Sequence, residues 1–508
     1  MKENQYGALF NAYPDSMGGK LSDIVAFLGR PEVRGAFSAF YILPSLYHSD
    51  LDRGFCVVDY GLNEALARPE DLEALRALGV GLKLDFVLNH ASVQSPQFRD
   101  LVARGEASPY RDFFINWNEF WQGHGQMTAE GYIQPDAELI KDMFFRKPGL
   151  PILMVDFPDG RSVPYWNTFY QQVDVDESGR KHYLGQMDLN IKSPLVWSFY
   201  ADTMKTLAGY GAQIVRLDAF AYAPKEPGER NFLNEPGTWD LLDRVADLAR
   251  PYGISLLPEI HASYGEGIYR VLGEKGYMVY DFFLPGLMLD AFEQRNGEYL
   301  ARWAKEIIAS GLRTVNMLGC HDGIPVLDLK GLLPEERIQA LMDALVSRGG
   351  YVKDLHGAKN VYYQVNAAYF SAMGEEERKL LLARAIQVFM PGRPQVWYLD
   401  LFAGKNDYEA MRRAGAGGHK EINRTNLTAR DVAAGLERPV VLKQLALLKL
   451  RSECPAFHPE AAIDVQAEGS DLCLRWRHDG HEAALRADLA AGGYEITVDG
   501  ERRVELEP

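Results

Sequence analysis

The sequence predicts an α/β fold, a (β/α)8 barrel with inserted lid domains and a small C-terminal β domain. Three observations predict it. Eight short apolar runs alternate with helical stretches, two of the connections between them are much longer than the others, and closely spaced strand-like pieces follow near the end of the chain. With 508 residues, the chain can bury a large barrel core and still supply these additions.

The eight apolar runs have the length and composition of buried strands. In chain order they read YGALFNAY, AFSAFYIL, VGLKLDFVL, AQIVRLDAF, GISLLPEI, MVYDFFLP, RTVNMLG and QVWYLDLF. The clearest helix between them begins after Ser193 as a cap, has Pro194 in its first turn, and ends at Gly209 and Gly211. Eight such strand and helix repeats are typical of a TIM barrel.

The long connections predict the domain limits. Residues 91–189 follow the third strand, are rich in aromatic residues, Pro and Gly, and are expected to form an inserted domain B over the barrel mouth. Residues 323–372 are expected to form a second inserted lid, B′. The barrel then comprises residues 1–90 and 190–438, and residues 439–508 form the C-terminal β domain.

Composition excludes several classes of function. The formal net charge is −16 and no Lys/Arg cluster interrupts it, which argues against nucleic acid and anionic membranes as partners. No apolar stretch approaches the roughly 20 residues of a membrane span, and the first residues lack the features of a signal peptide, so we expect a cytoplasmic protein. The four cysteines form no CxxC pair, and neither a metal site nor a cofactor is expected.

Polar residues lie where four of the predicted barrel strands end. They are Asn89 with His90, Arg216 with Asp218, Glu259 with His261, and His321 with Asp322. The carboxyl ends of barrel strands form the active face of this fold. Because side chains two residues apart on a strand point the same way, Arg216 and Asp218 are expected to lie side by side, as are Glu259 and His261.

These groups suit chemistry that uses two carboxyls. Arg216 is expected to lower the pKa of Asp218 and keep it ionised as a nucleophile, whereas Glu259 follows an apolar run where a protonated carboxyl is favoured. Retaining glycoside chemistry needs such a pair about 5 Å apart. Taken singly, each acidic residue is more readily interpreted as a helix cap or a member of a structural ion pair, and each histidine as a structural histidine. The functional interpretation depends on their joint occurrence at one barrel face.

In combination, the motifs resemble the signature regions of the α-amylase superfamily, glycoside hydrolase family 13. The four regions are LDFVLNH, VRLDA, LLPEIH and GCHDG. Further stretches resemble the sucrose phosphorylase branch of that superfamily: NAYPDSMGG, DRGF, PGLP, HDGIPVLDLKGLLP, YYQVN, ARAIQVFMPGRPQVWYLDLFAGKND and EINR. The resemblance spans nearly the whole chain. It implies a barrel with lid domains B and B′, and retaining transfer of glucose from an α-glucoside to phosphate.

The resemblance also implies roles for individual residues. Asp218 would be the nucleophile, Glu259 the general acid/base and Asp322 the stabiliser of the transition state. The glucosyl unit would be bound by the remaining matched residues: Asp52 and Arg424 at its outer hydroxyls, Phe55 and Tyr222 as an aromatic platform, and His90 and His321 at other hydroxyls.

Two stretches match the Gln-x-Asp element of the family, Gln172 to Asp174 and Gln186 to Asp188. The second is favoured because SPLVW follows it and leads into the next helix, as in the family pattern. Phe169 is expected to supply the aromatic wall just upstream.

Phosphate would have to bind without a P-loop, since GxxxxGK[ST] is absent. The candidates by position are Lys147, His261 and Tyr363, with Gln364 beside the last of them; for Lys147 and Tyr363 an ordinary surface role is an equal alternative.

The acceptor region departs from the sucrose phosphorylase pattern. Val361 and Tyr362 stand where Asp-Leu usually precedes Tyr-Gln, and Thr425 replaces a histidine after EINR. These changes question fructose as the leaving group. Basic residues for an anionic acceptor are available in YVKDLHGAKN, at Lys353, His356 and Lys359, although solvent-facing positions are the alternative for them.

The sequence therefore predicts a hexosyl-transferring enzyme, a disaccharide phosphorylase with sucrose as first candidate, acting on an α-glucoside and inorganic phosphate as a monomer or homodimer. The alternatives are phosphorolysis of sucrose 6′-phosphate, glucosylglycerol or glucosylglycerate, and a sucrose or α-glucoside hydrolase or transglucosidase. A non-catalytic sugar-binding barrel is disfavoured because all three carboxylates are present.

Overall fold

A computed structural model describes residues 6–143, 145, 149–355, 361–415 and 418–506 of the chain. Its β-strands, numbered in chain order, are β1 (Ala8–Ala12), β2 (Phe37–Ile42), β3 (Tyr47–Leu51), β4 (Cys56–Leu62), β5 (Gly81–Val87), β6 (His90–Ser92), β7 (Gly125–Met127), β8 (Ile133–Pro135), β9 (Ile152–Asp156), β10 (Ser162–Trp166), β11 (Gln171–Val175), β12 (Lys181–Asp188), β13 (Ala212–Asp218), β14 (Ser255–Pro258), β15 (Val279–Asp281), β16 (Thr314–Met317), β17 (Ile324–Pro325), β18 (Tyr351–Leu355), β19 (Val361–Asn366), β20 (Arg393–Trp397), β21 (Ala462–Glu468), β22 (Asp471–His478), β23 (His481–Asp488), β24 (Gly493–Val498) and β25 (Glu501–Leu506).

The α-helices, numbered in the same way, are α1 (Leu21–Leu28), α2 (Pro69–Ala77), α3 (Pro96–Arg104), α4 (Trp117–Phe120), α5 (Ala137–Ile140), α6 (Pro194–Tyr210), α7 (Gly237–Ala249), α8 (Ile268–Glu274), α9 (Leu284–Gln294), α10 (Glu298–Ser310), α11 (Glu335–Ser347), α12 (Tyr369–Ala372), α13 (Glu377–Phe389), α14 (Tyr398–Leu401), α15 (Tyr408–Ala414), α16 (Ala429–Gly435) and α17 (Pro439–Glu453). In the part of the chain that is described, none of these helices is both long and apolar enough to cross a membrane.

Eight parallel strands form the barrel. Around it they follow chain order, as β1, β2, β5, β13, β14, β15, β16 and β20, with β20 pairing back onto β1. Neighbouring strands are joined by parallel hydrogen-bonded ladders, and β14 and β15 lie side by side at the remaining seam. Each of the eight apolar runs of the sequence contains or overlaps one of these strands, so the predicted (β/α)8 barrel is confirmed.

Helix α6 shows how the local sequence sets an element. It begins at Pro194 with Ser193 as its N-cap, because the fixed φ of proline suits a first turn whose N–H groups lack partners. It ends at Tyr210, where Gly211 adopts a left-handed conformation with φ of 94° and donates its N–H to the carbonyls of Leu207 and Ala208. The helix predicted from Ser193 to Gly211 is therefore present.

The long connection between β5 and α6 folds over the carboxyl ends of the barrel strands. It contains β6 to β12 and α3 to α5, and a small aromatic core of its own is built around Trp117, Trp121 and Trp166. Strand β12 pairs with both β11 and β6, which brings the end of the insertion back to the strand that follows Asn89. The limits 91–189 for domain B stay a prediction.

The second connection, between β16 and the helix α13, contains β17, α11, β18, β19 and α12. Its three strands form one antiparallel sheet in the order β17, β19, β18. The limits 323–372 for B′ also stay a prediction.

A five-stranded antiparallel sheet, β21 to β25 in simple sequence order, ends the chain and confirms the predicted C-terminal β structure. It is joined to the barrel through α17, which packs against α13, and through Trp476, whose indole N–H donates to the carbonyl of Phe389 at 2.7 Å. The proposed start of this domain at residue 439 coincides with the first residue of α17.

Candidate active site

Arg216 is the centre of the polar cluster at the barrel mouth. It lies on β13, points the same way as Asp218, and is almost fully buried. Its Nη1 donates to Asp218 Oδ1 at 2.7 Å, and its Nη2 lies 2.9 Å from Glu259 Oε1. One planar guanidinium therefore bridges the two carboxyl groups that the sequence singled out.

A third carboxylate, which sequence reasoning missed, shares the same guanidinium. Asp85 lies on β5 directly opposite Arg216 in the parallel ladder, and it accepts from Arg216 Nη1 at 2.7 Å. The hydroxyl of Tyr41 donates to both Asp85 oxygens, at 3.0 and 2.9 Å. The sequence did contain one indication that Asp85 is unusual. In the run GLKLDFV, Lys83 and Asp85 place two charges on one face of a buried strand.

Glu259 follows β14 and lies against His261. The backbone N–H of Ala219 donates to Glu259 Oε2 at 3.3 Å, and His261 Nε2 lies 3.7 Å from Glu259 Oε1. The other ring nitrogen of His261 lies 3.4 Å from Asp328, and its ring stacks on Phe282 with centroids 3.9 Å apart. Burial opposes a proton on His261, but Asp328, together with Glu259 and Asp322, outweighs burial, so the pKa of this histidine is raised.

Asp322 lies at the other side of the mouth, among positive groups. Lys420 Nζ donates to its Oδ1 at 2.5 Å, and His321 Nε2 lies 3.2 Å from its Oδ2. Arg424 Nη2 is more distant, 4.0 Å from Oδ1. Lys420 was not singled out by the sequence, although it stands directly before the EINR motif.

The ionisation of Asp322 follows from these neighbours. Burial opposes its charge, but His321, Lys420 and Arg424 outweigh burial and hold the pKa of Asp322 well below its usual range. Burial in turn lowers the pKa of His321 well below its ordinary value, although Asp322 acts in the opposite direction. Of the lysine and arginine beside Asp322, Lys420 is the closer.

The outer end of the site is built from two distant parts of the chain. Arg424 Nη1 lies 3.9 Å from Asp52 Oδ1, and Arg424 Nε donates to the carbonyl of His321 at 2.7 Å. Arg53 Nη1 donates to the carbonyl of Arg424 at 2.9 Å, and its guanidinium covers the ring of Tyr13. The structure thus brings Asp52 and Arg424 together, as the resemblance implied.

Aromatic rings line the site between these charged groups. Phe55 stacks on His321 with centroids 5.0 Å apart, and Phe169 contacts His90 at 5.0 Å and Tyr222 at 5.3 Å. The sequence-predicted residues Phe55, His90, Phe169, Tyr222 and His321 therefore lie in one contiguous wall.

The two candidate glutamines have different surroundings in the structure. Gln186 is buried, and its Nε2 donates to the carbonyl of Phe55 at 3.3 Å and lies 3.1 Å from His90 Nε2. Gln172 lies on the exposed β11 and bonds to Asp174 instead. Gln186 is therefore the glutamine that belongs to the site.

A buried lysine supports this wall from behind. Lys225 Nζ lies 2.8 Å from Asp188 Oδ2, and it donates to Asn89 Oδ1 at 3.2 Å and to the carbonyl of Tyr222 at 2.5 Å. Thr168 donates its backbone N–H to the same aspartate at 2.8 Å. Tyr222 is itself a wall residue, Asn89 precedes His90 in the chain, and Asp188 pairs with His90 across two strands. The ammonium group of Lys225 therefore connects the segments that carry His90 and Tyr222.

Backbone strain lies beside two of the site residues. Ala219, directly after Asp218, has φ of 50°, and Asp52 and Arg53 both have φ of 48°. A side chain in this left-handed region costs on the order of 1 kcal/mol or more, and such strain is concentrated at functional sites.

Among the four phosphate candidates, the structure describes the side chains of His261 and Gln364. Lys147 lies outside the described residues. Tyr363 lies on β19, but its side chain is not among those described. Gln364 is buried and donates to Asn366 Oδ1 at 3.2 Å, and His261 lies beside Glu259 as stated above.

Arg216 acts on the pKa of Asp218 in the expected direction, but the expectation that it keeps this carboxyl ionised was wrong. Arg216 does favour the ionised carboxyl, but burial outweighs it, and the nearby Glu259 and Asp85 act in the same direction as burial. The pKa of Asp218 is raised to about 8. Three carboxyls share one guanidinium, a situation that the pair Arg216-x-Asp218 alone does not reveal.

This shift predicts a pH dependence of stability. The native carboxyl of Asp218 keeps its proton up to about pH 8, whereas the unfolded one loses it near its ordinary value of 3.8. Between these values the native state binds more protons, so the free energy of unfolding falls as pH rises. We expect the Tm of Asp218→Asn, relative to the parent, to increase from pH 5 to pH 8 and then level off, as measured by scanning calorimetry.

The surface variant Asp174→Asn is the control, and its Tm relative to the parent should stay constant over the same pH range. A constant difference between Asp218→Asn and the parent would contradict the raised pKa.

Comparison with known proteins identifies close relatives over the full length of the chain. It is 55% identical to the sucrose 6(F)-phosphate phosphorylase of Ilumatobacter coccineus, over 98% of this chain and 97% of that protein. It is 33% identical to the sucrose phosphorylase of Streptococcus mutans, over 96% of each. The crystal structure of sucrose 6F-phosphate phosphorylase from Thermoanaerobacter thermosaccharolyticum superimposes with a TM-score of 0.88 at 31% identity, covering 100% of this chain and 98% of that one. No protein-family model matches the chain.

Proposed function

Because this chain belongs to the sucrose phosphorylase branch of the α-amylase superfamily, we propose that it converts sucrose 6F-phosphate and phosphate to α-glucose 1-phosphate and fructose 6-phosphate. The chain is a glycoside phosphorylase of the hexosyl-transferring type. The choice of donor and the roles of individual residues are the proposal.

One observation carries the catalytic part of the proposal: a single guanidinium group, that of Arg216, contacts both Asp218 and Glu259. Two carboxyls that one such group can bridge suit a nucleophile and an acid/base close together, as in retaining enzymes, where the separation is about 5 Å. Inverting enzymes need about 6.5 Å or more to admit a water molecule.

In the first step, the proton on Asp218 moves to Glu259, which contacts the same guanidinium of Arg216, and an oxygen of the ionised Asp218 attacks the anomeric carbon of the glucosyl unit. The bond to the fructosyl oxygen breaks, and Glu259 gives its proton to that oxygen. The product is a β-glucosyl ester of Asp218. The ionised Asp322 stabilises the positive charge that develops at the anomeric carbon and ring oxygen.

In the second step, a phosphate oxygen attacks the anomeric carbon from the face that fructose 6-phosphate has left. The ester bond to Asp218 breaks and the carboxylate is restored, while Glu259 recovers a proton from the incoming hydrogen phosphate. Two inversions give net retention, so the glucose 1-phosphate formed is the α anomer.

Two sets of residues are proposed to bind the glucosyl unit. Asp52 would accept hydrogen bonds from its outer hydroxyls, and Arg424 would donate hydrogen bonds to them. The aromatic wall would cover its apolar face, with His90, Gln186 and His321 as hydrogen-bonding groups; this wall contains Phe55, Phe169 and Tyr222. Such a set fixes both the position and the identity of a hexose.

Phosphate presents an electrostatic problem in this acidic protein, since it must approach three carboxylates. We propose that His261 favours its binding, because Asp328 raises the pKa of His261 and thereby supports a positive ring. Lys147 and Tyr363, with Gln364, are proposed as further phosphate contacts on sequence position.

The donor is chosen for its additional phosphate group. The relative that is 55% identical is a sucrose 6(F)-phosphate phosphorylase, and the acceptor stretch YVKDLHGAKN contains Lys353, His356 and Lys359. His356 and Lys359 lie outside the described residues, as does the side chain of Lys353. We propose these three cations as the site of the 6-phosphate.

Sucrose is the second candidate. The sucrose phosphorylase of Streptococcus mutans matches the chain over nearly its full length, and the sequence interpretation placed sucrose first. We further propose a cytoplasmic enzyme, a monomer or homodimer, whose partners are the small-molecule glucoside and phosphate.

The donor is tested by measuring α-glucose 1-phosphate and free glucose from each candidate, with and without phosphate. We expect phosphate-dependent α-glucose 1-phosphate from sucrose 6F-phosphate, with kcat/KM about 100-fold above that for sucrose, since charge-assisted contacts contribute roughly 1.5–3 kcal/mol each. Glucosylglycerol and glucosylglycerate serve as neutral and anionic comparison donors.

Equal or faster turnover of sucrose would contradict the proposed donor and leave the phosphorylase assignment intact. Free glucose as the main product in the presence of phosphate would instead indicate a hydrolase.

A further inference from the structure

Lys420 is a cation at the mouth of the site to which the family motifs assign no role. It lies on a short 3-10 helix, Gly418–Asn423, and its side chain is only 21% exposed. Its Nζ donates to Asp322 Oδ1 at 2.5 Å. A typical surface lysine pair is more exposed and contributes almost nothing. This one is largely shielded from water and ends on a carboxylate of the active site.

We propose that Lys420 is a positioning residue for glucosyl transfer: it binds Asp322 Oδ1 and fixes the orientation of this carboxylate toward the glucosyl unit. The inference deepens the proposed function and rests on it, because it concerns the carboxylate that is proposed to stabilise the transition state.

The contacts of Asp322 show why Lys420 matters more than its neighbours. The two carboxylate oxygens are held separately, Oδ1 by Lys420 and Oδ2 by His321. His321 is itself fixed, because its ring stacks on Phe55 and its carbonyl accepts from Arg424. Replacing Lys420 therefore frees one oxygen of the pair and leaves the carboxylate able to rotate.

Arg424 cannot replace Lys420 as a counter-ion. Its Nη2 lies 4.0 Å from Asp322 Oδ1, whereas its other nitrogens contact Glu421 at 3.2 Å and the carbonyl of His321 at 2.7 Å. Lys420 is therefore the cation nearest to Asp322 Oδ1, at 2.5 Å.

The titratable and charged groups that face Asp322 come from several elements. They are Cys320 and His321 on its own loop, Lys420 and Arg424 on and after the 3-10 helix, His261 after β14, and Tyr13 after β1. Tyr13 and Cys320 are neutral at pH 7, because burial raises the pKa of each. His261 is positive when protonated and acts in the same direction as Lys420.

The test compares Lys420→Gln, which keeps a hydrogen-bond donor without the charge, with Lys420→Arg, which keeps the charge. The donor is α-glucosyl fluoride, because its turnover requires the glucosyl site but no aglycone recognition. The matched control is Lys405→Gln, since Lys405 pairs with Glu375 on the surface, with 64% of its side chain exposed.

We expect Lys420→Gln to lower kcat by about 10- to 100-fold, the usual effect of removing a group that supports a catalytic residue, with a smaller change in KM. Lys420→Arg should recover most of kcat, because it restores a cation beside Asp322 Oδ1.

Parent-like kcat in Lys420→Gln would overturn the inference. Equal losses of kcat in both variants, with a lowered Tm, would also overturn it and assign Lys420 to the fold alone. Absence of glucosyl transfer by the parent from α-glucosyl fluoride would overturn the proposed function itself, and this inference with it.

Discussion

Asp218→Asn is expected to lower turnover by at least about 10⁴-fold on every donor, because the covalent glucosyl intermediate cannot form without a carboxylate nucleophile. The geometry makes the substitution conservative in shape: the amide oxygen can still accept from Arg216 Nη1 at the position of the present 2.7 Å bond. The loss is measured as α-glucose 1-phosphate release at saturating phosphate, with Asp218→Ala as a second variant.

The donor α-glucosyl fluoride makes this test specific. A better leaving group does not replace a missing nucleophile, so Asp218→Asn should remain inactive with the fluoride as well. Asp174→Asn, in the exposed Gln-x-Asp stretch of β11, should retain parent activity. Full activity of Asp218→Asn would contradict the assignment of the nucleophile.

Glu259→Gln is expected to show a different pattern, a loss that depends on the leaving group. General acid catalysis contributes about 10²- to 10⁴-fold, so phosphorolysis of a sugar donor should fall by a factor in that range. Fluoride leaves without a proton, and phosphate is already an anion when it attacks. Glu259→Gln should therefore still form α-glucose 1-phosphate from α-glucosyl fluoride and phosphate.

Hydrolysis of α-glucosyl fluoride in the absence of phosphate is the control within the same experiment. It must lose a proton as it attacks, so release of free glucose from α-glucosyl fluoride without phosphate should stay low in Glu259→Gln. Equal losses with the fluoride and with the sugar donor would show that Glu259 is needed for more than proton transfer, and would contradict its proposed role.

The fold could be predicted because each barrel strand carries its signal locally. Short apolar runs followed by Gly, Asn or Asp give both the strand and its end, and the helix from Pro194 to Gly211 has its start and stop signals within its own sequence. The polar residues at the strand ends could be identified for the same reason, since strand direction fixes the face on which they meet.

Partners from distant segments could not be predicted in this way. Asp85 and Arg216 are 131 residues apart, and Lys420 and Asp322 are 98 apart, so no spacing rule links them. The only local indication was a charged residue in an apolar strand, as at Lys83 and Asp85. Such a residue does not reveal which distant side chain it will contact. The raised pKa of Asp218 was missed for a related reason: it depends on burial and on carboxylates that the sequence places elsewhere.

The outer end of the glucosyl site joins the beginning and the end of the barrel, and this has a consequence for folding. The bond from Arg53 to the carbonyl of Arg424 spans 371 residues, and β1 pairs with β20. Contacts of such sequence separation form late, because a long loop must close before they contribute. A chain emerging from the ribosome can fold its early strands and helices, but it gains a complete sugar pocket only after about residue 424. Recovery of glucose binding during refolding would therefore report barrel closure, later than any signal from secondary structure.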